Sequence, residues 1–119
     1  MENVIKDIFD CIDTLPISIT QKELFCEKLI GYRYIEDIHE LFKGRHIRWI
    51  RLQQKDPEKI FITNGGILVD VKFTRDGIQL MCKNNRHQFI QYKFDDCLTF
   101  QKLSTEEQLL LIAYENSVV

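Results

Sequence analysis

Ile67-Leu68-Val69-Asp70-Val71-Lys72-Phe73-Thr74-Arg75-Asp76-Gly77-Ile78-Gln79-Leu80-Met81-Cys82-Lys83 is the stretch that decides the fold. Ile67, Val69, Val71 and Phe73 alternate with Leu68, Asp70 and Lys72, the period-two pattern of a strand with one buried face. Asp76-Gly77 reads as a two-residue hairpin loop, because a type I′ turn needs positive φ at both central positions. That register pairs Phe73 with Leu80 and Val71 with Cys82, and sets Asp70 opposite Lys83. Asn84-Asn85-Arg86 supplies the next turn, since asparagine tolerates the left-handed conformation. A three-residue loop there pairs Leu80 with Ile90 and Ile78 with Tyr92. The outcome is an antiparallel meander whose outer face carries Asp70, Lys72, Gln79, Met81, Lys83, Phe89, Gln91 and Lys93. Met81 and Phe89 fall side by side on that face.

On the N-terminal side, Ile47, Trp49 and Ile50 lie in a strand that opens at Arg45. A polar loop over residues 53–59 and an Asn64-Gly65-Gly66 turn lead into the meander. On the C-terminal side, an Asp95-Asp96 corner precedes a strand over residues 97–103. Ser104-Thr105-Glu106-Glu107 then has the form of a capping box, opening a helix with Leu109, Leu110, Ile112 and Ala113 on its buried face. At the start of the chain, Val4, Ile5, Ile8, Phe9 and Ile12 fall at helical spacing and Pro16 stops the helix. Thr20 to Glu23 reads as a second capping box, followed by Leu24, Phe25, Leu29 and Ile30. Gly31 interrupts, and Ile35, Ile38, Leu41 and Phe42 continue as a third helical segment that Gly44 ends.

These elements predict an α+β domain. A helical layer occupies residues 1–44, a five-stranded antiparallel SH3-like β-barrel residues 45–103, and a closing helix residues 104–116. An Sm-like fold is the nearest alternative. At 119 residues the chain holds one domain. With 45% hydrophobic and 29% charged residues it has the balance of a globular protein, not of a disordered one. Net charge is −2, unevenly placed: residues 1–40 carry four Lys/Arg against nine Asp/Glu, residues 41–104 twelve against six, and residues 105–119 none against three.

No apolar run approaches the roughly 18 residues of a membrane span, and the start of the chain lacks the pattern of a signal peptide. The expectation is an intracellular protein with no membrane partner. Cys11, Cys26, Cys82 and Cys97 form no C-x-x-C pair and read as reduced, packed thiols. His39, His46 and His87 are scattered over different elements, so no metal or other cofactor is expected. No serine sits in a G-x-S-x-G elbow, and no Lys-Ser/Thr pair follows Gly65-Gly66 to make a P-loop. The sequence therefore points away from an enzyme.

Three runs carry a resemblance. They are residues 43–50 (KGRHIRWI), residues 63–67 (TNGGI) and residues 97–104 (CLTFQKLS). Together they resemble segments of small uncharacterised proteins of giant, nucleocytoplasmic large DNA viruses, over roughly residues 40–115. The resemblance implies a viral setting, in host cytoplasm or in the virion, and assigns no activity to any residue.

The functional expectation is a non-catalytic protein-interaction or adaptor module with an unidentified protein partner. Its candidate binding residues are Met81 and Phe89, rimmed by Lys72, Lys83 and Lys93, with Arg75 and Arg86 nearby. The alternative is a nucleic-acid-binding small barrel using the basic segment 43–102, to which Arg45, Arg48 and Arg51 also belong. Trp49 shares the parity of Ile47 and reads as core. The amphipathic N-terminal helices need apolar surface to pack on, and the Met81–Phe89 pair is their expected seat.

Overall fold

The computed structural model describes residues 3–117. Helix α1 (Val4–Asp13) and helix α2 (Ile19–Lys28) precede six strands: β1 (Tyr32–Ile35), β2 (His46–Arg51), β3 (Gly66–Thr74), β4 (Gly77–Lys83), β5 (Phe89–Lys93) and β6 (Cys97–Lys102). Helix α3 (Thr105–Ser117) follows. The strands form one antiparallel sheet in the order β1-β6-β2-β3-β4-β5. The class is α+β, as the sequence predicts. The expected five-stranded closed barrel is replaced by an open six-stranded sheet, because β1 adds to one edge and no ladder joins β5 to the other.

The sixth strand comes from residues expected to be helical. Gly31, at φ +87, ends the α2 segment in the left-handed region that glycine enters without penalty. Tyr32-Arg33-Tyr34-Ile35 then pairs with β6, Tyr34 opposite Phe100 and Ile35 opposite Thr99. Aromatic and β-branched side chains fit a pleated surface, and here that preference outweighs the helical spacing of Ile35 and Ile38. Only a 3-10 turn at Ile38–Glu40 remains of the third helix. Gln101 holds the connection: its side-chain oxygen accepts from the Phe42 N–H at 2.8 Å and its amide donates to the Glu40 carbonyl at 3.1 Å.

The meander keeps its faces but slips in register. The turn is Thr74-Arg75-Asp76-Gly77, with Thr74 opposite Gly77, and of these only Gly77 has positive φ. Phe73 consequently faces Ile78, Val71 faces Leu80, and Asp70 faces Met81 rather than Lys83. A bulge at Val69 turns Leu68 inward and leaves Ile67 on the outer face, reversing their expected sides. The second loop spans Asn84 to Gln88 instead of three residues. Asn84 Oδ1 accepts from the N–H groups of Arg86 and Gln88, and His87, not an asparagine, takes the left-handed φ of 61°. Met81 therefore pairs with Gln91, and Phe89 with Lys83. A slip of two residues preserves side-chain direction, which is why the faces survive from Asp70 onward while the partners change.

Two cores lie on opposite faces of the sheet. Val4, Ile8, Ile12, Phe25 and Leu29 of the helical segment pack with Ile50, Phe100 and Leu103 on one side. Ile47, Trp49, Leu68, Leu80, Cys82, Tyr92 and Cys97 fill the other. In this second core the sheet curls. Trp49 of β2 stacks on Tyr92 of β5 with ring centroids 4.2 Å apart, and Tyr92 Oη lies 2.9 Å from Thr99 Oγ1 of β6. Trp49 is core, as its parity indicates.

The helix caps are partly as expected. The second helix begins at Ser18, whose side chain accepts from the Gln21 N–H; Thr20 is already inside it. At α3 the expected box forms. The Glu107 N–H donates to Ser104 Oγ at 3.1 Å, and the Ser104 N–H donates to Glu107 Oε1 at 3.0 Å. Glu107 also pairs with Arg45, and its Oε2 lies 3.7 Å from Arg33. Partial burial acts to raise the Glu107 pKa, but the Ser104 hydrogen bonds and the Arg45 charge outweigh it and hold the carboxyl below its ordinary value. A depressed folded pKa stabilises above the unfolded value and loses that effect as pH falls through the folded one. The stability gap between wild type and Glu107→Gln, measured by urea unfolding, is expected to be largest at neutral pH and to shrink once pH drops below 4.5. A gap independent of pH would remove this role for the carboxylate.

Candidate functional site

Helix α1 carries two apolar stripes. Val4, Ile8 and Ile12 face the sheet, while Ile5 and Phe9, one position on and about 100° round the helix, stay more than half exposed. At α2, Phe25 and Leu29 point into the core, and Ile19 and Ile30 stand exposed at either end. On α3 only Leu111 is partly packed among the apolar residues described. Leu109, Leu110 and Ile112, expected on a buried face, are all more than half exposed.

These helices enclose an open groove of about 970 Å³. Buried Ile8, Ile12, Leu29 and Leu103 lie among its lining, together with exposed Ile5, Phe9, Ile19, Ile30 and Ile112. The charges around it are of both signs: Asp13 is bridged to Lys22 at 3.1 Å, and Glu23 and Glu27 stand near. Its lining is mostly aliphatic and aromatic, a surface suited to bury an apolar side chain.

The sites expected from sequence lie elsewhere. Ile67, Lys83 and Phe89 form one row across β3, β4 and β5; Asp70, Met81 and Gln91 form the next; Lys72, Gln79 and Lys93 form the third. The same sheet surface continues under α1 and α2, but the helices cover β1, β6 and β2 instead of the Met81–Phe89 region. Phe89 is 64% exposed, with Lys83 Nζ 5.8 Å from its ring centroid. The structure thus brings Lys72, Lys83, Lys93, Met81 and Phe89 onto one uncovered face. Arg75 and Arg86 sit at the turns at opposite ends of β4, about 20 Å apart at the rise of an extended strand.

Other basic residues are engaged internally. Arg48 donates to the carbonyls of Thr63 and Lys28, each at 2.9 Å. Arg45 pairs with Glu107 and lies 4.4 Å from the centroid of the Phe42 ring. Burial pushes the Cys11 and Cys82 thiols up to about 12, and Cys97 to about 11. They remain protonated at neutral pH, and the thiol form is a poor nucleophile. His46 is shifted down by burial and by the charges of Arg48 and Lys102, and its Nδ1 lies 2.9 Å from Tyr32 Oη. Among the described residues no group of three or more His, Cys, Asp or Glu side chains is placed to hold a metal ion, and no helix is long and apolar enough to cross a membrane.

The groove is not visible in the sequence, because spacing reports helicity, not coverage. Its signal was the width of the apolar face of α1: Ile5 and Phe9 duplicate the Val4–Ile8–Ile12 stripe, more than one sheet contact can bury. No family model, curated protein or solved structure matches this chain.

Proposed function

We propose that the chain is a non-catalytic protein-interaction module that docks an apolar protein surface in the groove between α1, α2 and α3. The observation that carries this reading is the set of five large apolar side chains, Ile5, Phe9, Ile19, Ile30 and Ile112, each more than half exposed along a single groove. Contiguous apolar surface of this kind is costly to leave in water and marks interaction sites. Apolar grooves between helices take partner side chains as anchors. The scaffold is proposed as a partly open SH3-like barrel. Its support is the strand order β6-β2-β3-β4-β5, the long loop after β2, the 3-10 turn at Phe94–Asp96, and the Trp49–Tyr92 stack across the curl. The viral setting, host cytoplasm or virion, rests on the three sequence runs alone.

The test uses 8-anilinonaphthalene-1-sulfonate, a dye that brightens on apolar surface. Dilute wild-type protein is expected to bind it, and Ile30→Asp to lose most of that signal with a melting temperature within about 2 °C of wild type. Wild-type protein that neither binds dye nor associates would overturn the docking reading.

A second reading belongs to the uncovered face of β3, β4 and β5, where exposed Phe89 stands among Lys72, Lys83 and Lys93. A cationic face with an exposed ring is suited to stack and hold single-stranded nucleic acid. Affinity should then fall linearly in log–log against salt, and Lys83→Glu should flatten the slope. No binding at low salt eliminates this reading. On either reading Phe89→Ala is expected to change stability by less than about 0.5 kcal/mol, because the ring fills no cavity. A loss of several kcal/mol in urea unfolding would show that this face is packed.

A further inference from the structure

We infer that the occupant of the groove is a second copy of this chain, related by a two-fold axis, with α3 of each protomer against the groove of the other. The inference rests on the docking reading above and names its partner. Helix α3 is apolar around most of its circumference: Leu109, Leu110, Leu111, Ile112 and Ala113 are consecutive, so successive side chains step about 100° round the axis. A helix apolar on all sides is stable when buried on all sides. Within one chain only Leu111 of these finds cover, and Leu109 and Leu110 remain 61% and 62% exposed. The helix is nevertheless fixed at its start, where Glu107 is bonded to Ser104 and paired with Arg33 and Arg45. Leu109, Leu110 and Ile112 of this held helix stay more than half exposed in one chain.

The groove and this helix adjoin, since Leu111 and Ile112 of α3 line the groove. The same helix thus carries one wall of the recess and, at Leu109 and Leu110, an apolar projection beside it. A two-fold contact uses the same patch twice, so projection and recess are satisfied reciprocally. The area is sufficient. The exposed parts of Ile5, Phe9, Ile19, Ile30 and Ile112 at the groove, with Leu109 and Leu110 outside it on α3, present on the order of 800 Å² per chain, which is what a standard interface takes from each partner. Of the surrounding charges, Lys6 is paired with Asp10 and Lys22 with Asp13 within the chain, and Glu23 and Glu27 stand beside them.

Sedimentation equilibrium of the full chain over a concentration series tests this. The expected result is a mass of twice 14.2 kDa, with a melting temperature that rises with protein concentration. Leu109→Asp and Ile30→Asp should each weaken association at least about tenfold while leaving the far-ultraviolet spectrum of dilute protein unchanged. Phe73→Asp, equally exposed but at the end of the β3–β4 hairpin, should leave the mass unchanged. A mass of 14.2 kDa at every concentration overturns the second copy as occupant, as does a dimer that survives both groove-face substitutions. In the monomeric case the dye separates the two ideas. Dye uptake lost in Ile30→Asp leaves the groove to a different protein, and no uptake removes the docking reading as well.

Discussion

Gly65→Ala is expected to destabilise the domain by roughly 3 kcal/mol or more, the largest effect of a methyl addition at any of the glycines. A Cβ at Gly65 would fall 1.9 Å from the Ile47 carbonyl oxygen and 2.9 Å from its carbonyl carbon. Those atoms are backbone within β2 and cannot swing aside as a lysine end would. The residue is also at φ +74, where an L side chain is strained even in open space. Relief would require β2 and β3 to separate at the place where they are joined by only two paired positions, His46–Ile67 and Ile47–Gly66. That short ladder links the half of the sheet under the helices to the meander. Equilibrium urea unfolding should show a markedly lower midpoint for Gly65→Ala; a midpoint within experimental scatter of wild type would mean that the close approach of β2 is not a feature of the fold.

Phe100→Ala should cost about 3–5 kcal/mol through the transfer of the ring and the cavity left behind. Phe100 is fully buried at the centre of the helix-side core, paired with Arg48 on β2 and with Tyr34 on β1, whose ring centroid is 5.6 Å away. No neighbour can collapse easily into its place, because two strands and two helices converge there. The expected fall in melting temperature is roughly 15 °C. A loss under about 1 kcal/mol would indicate that α1 and α2 contribute little to the cooperative unit.

What was legible in the sequence followed from local chemistry. The period-two alternation gave the face of Val71, Leu80, Cys82 and Tyr92, and the Ser104–Glu107 box placed the start of α3. Register was harder, since Asp76-Gly77 is compatible with glycine either inside the loop or just after it. Those choices differ by two residues, so burial patterns cannot separate them. Tyr32–Ile35 reads as helical in the sequence because a four-residue strand has too few positions to show a period, and its helical neighbours lend it theirs. The groove becomes visible only with the fold. Ile5 and Phe9 are good core residues by composition, and only the position of the sheet beneath α1 shows that one stripe is used and the other is left over.

The stack of Trp49 on Tyr92 has an optical consequence. Trp49 is the single tryptophan of the chain, and its indole is buried, with no hydrogen-bond partner for Nε1 among the described residues. Such an indole fluoresces at short wavelength, and its emission moves to the red when water reaches the ring. Because Trp49 belongs to β2 and Tyr92 to β5, the colour of that emission reports whether these two strands, three places apart in the curled sheet, remain together. The helices report separately through far-ultraviolet ellipticity. One unfolding experiment followed at both wavelengths therefore distinguishes a helical layer that peels away early from a domain that opens as one.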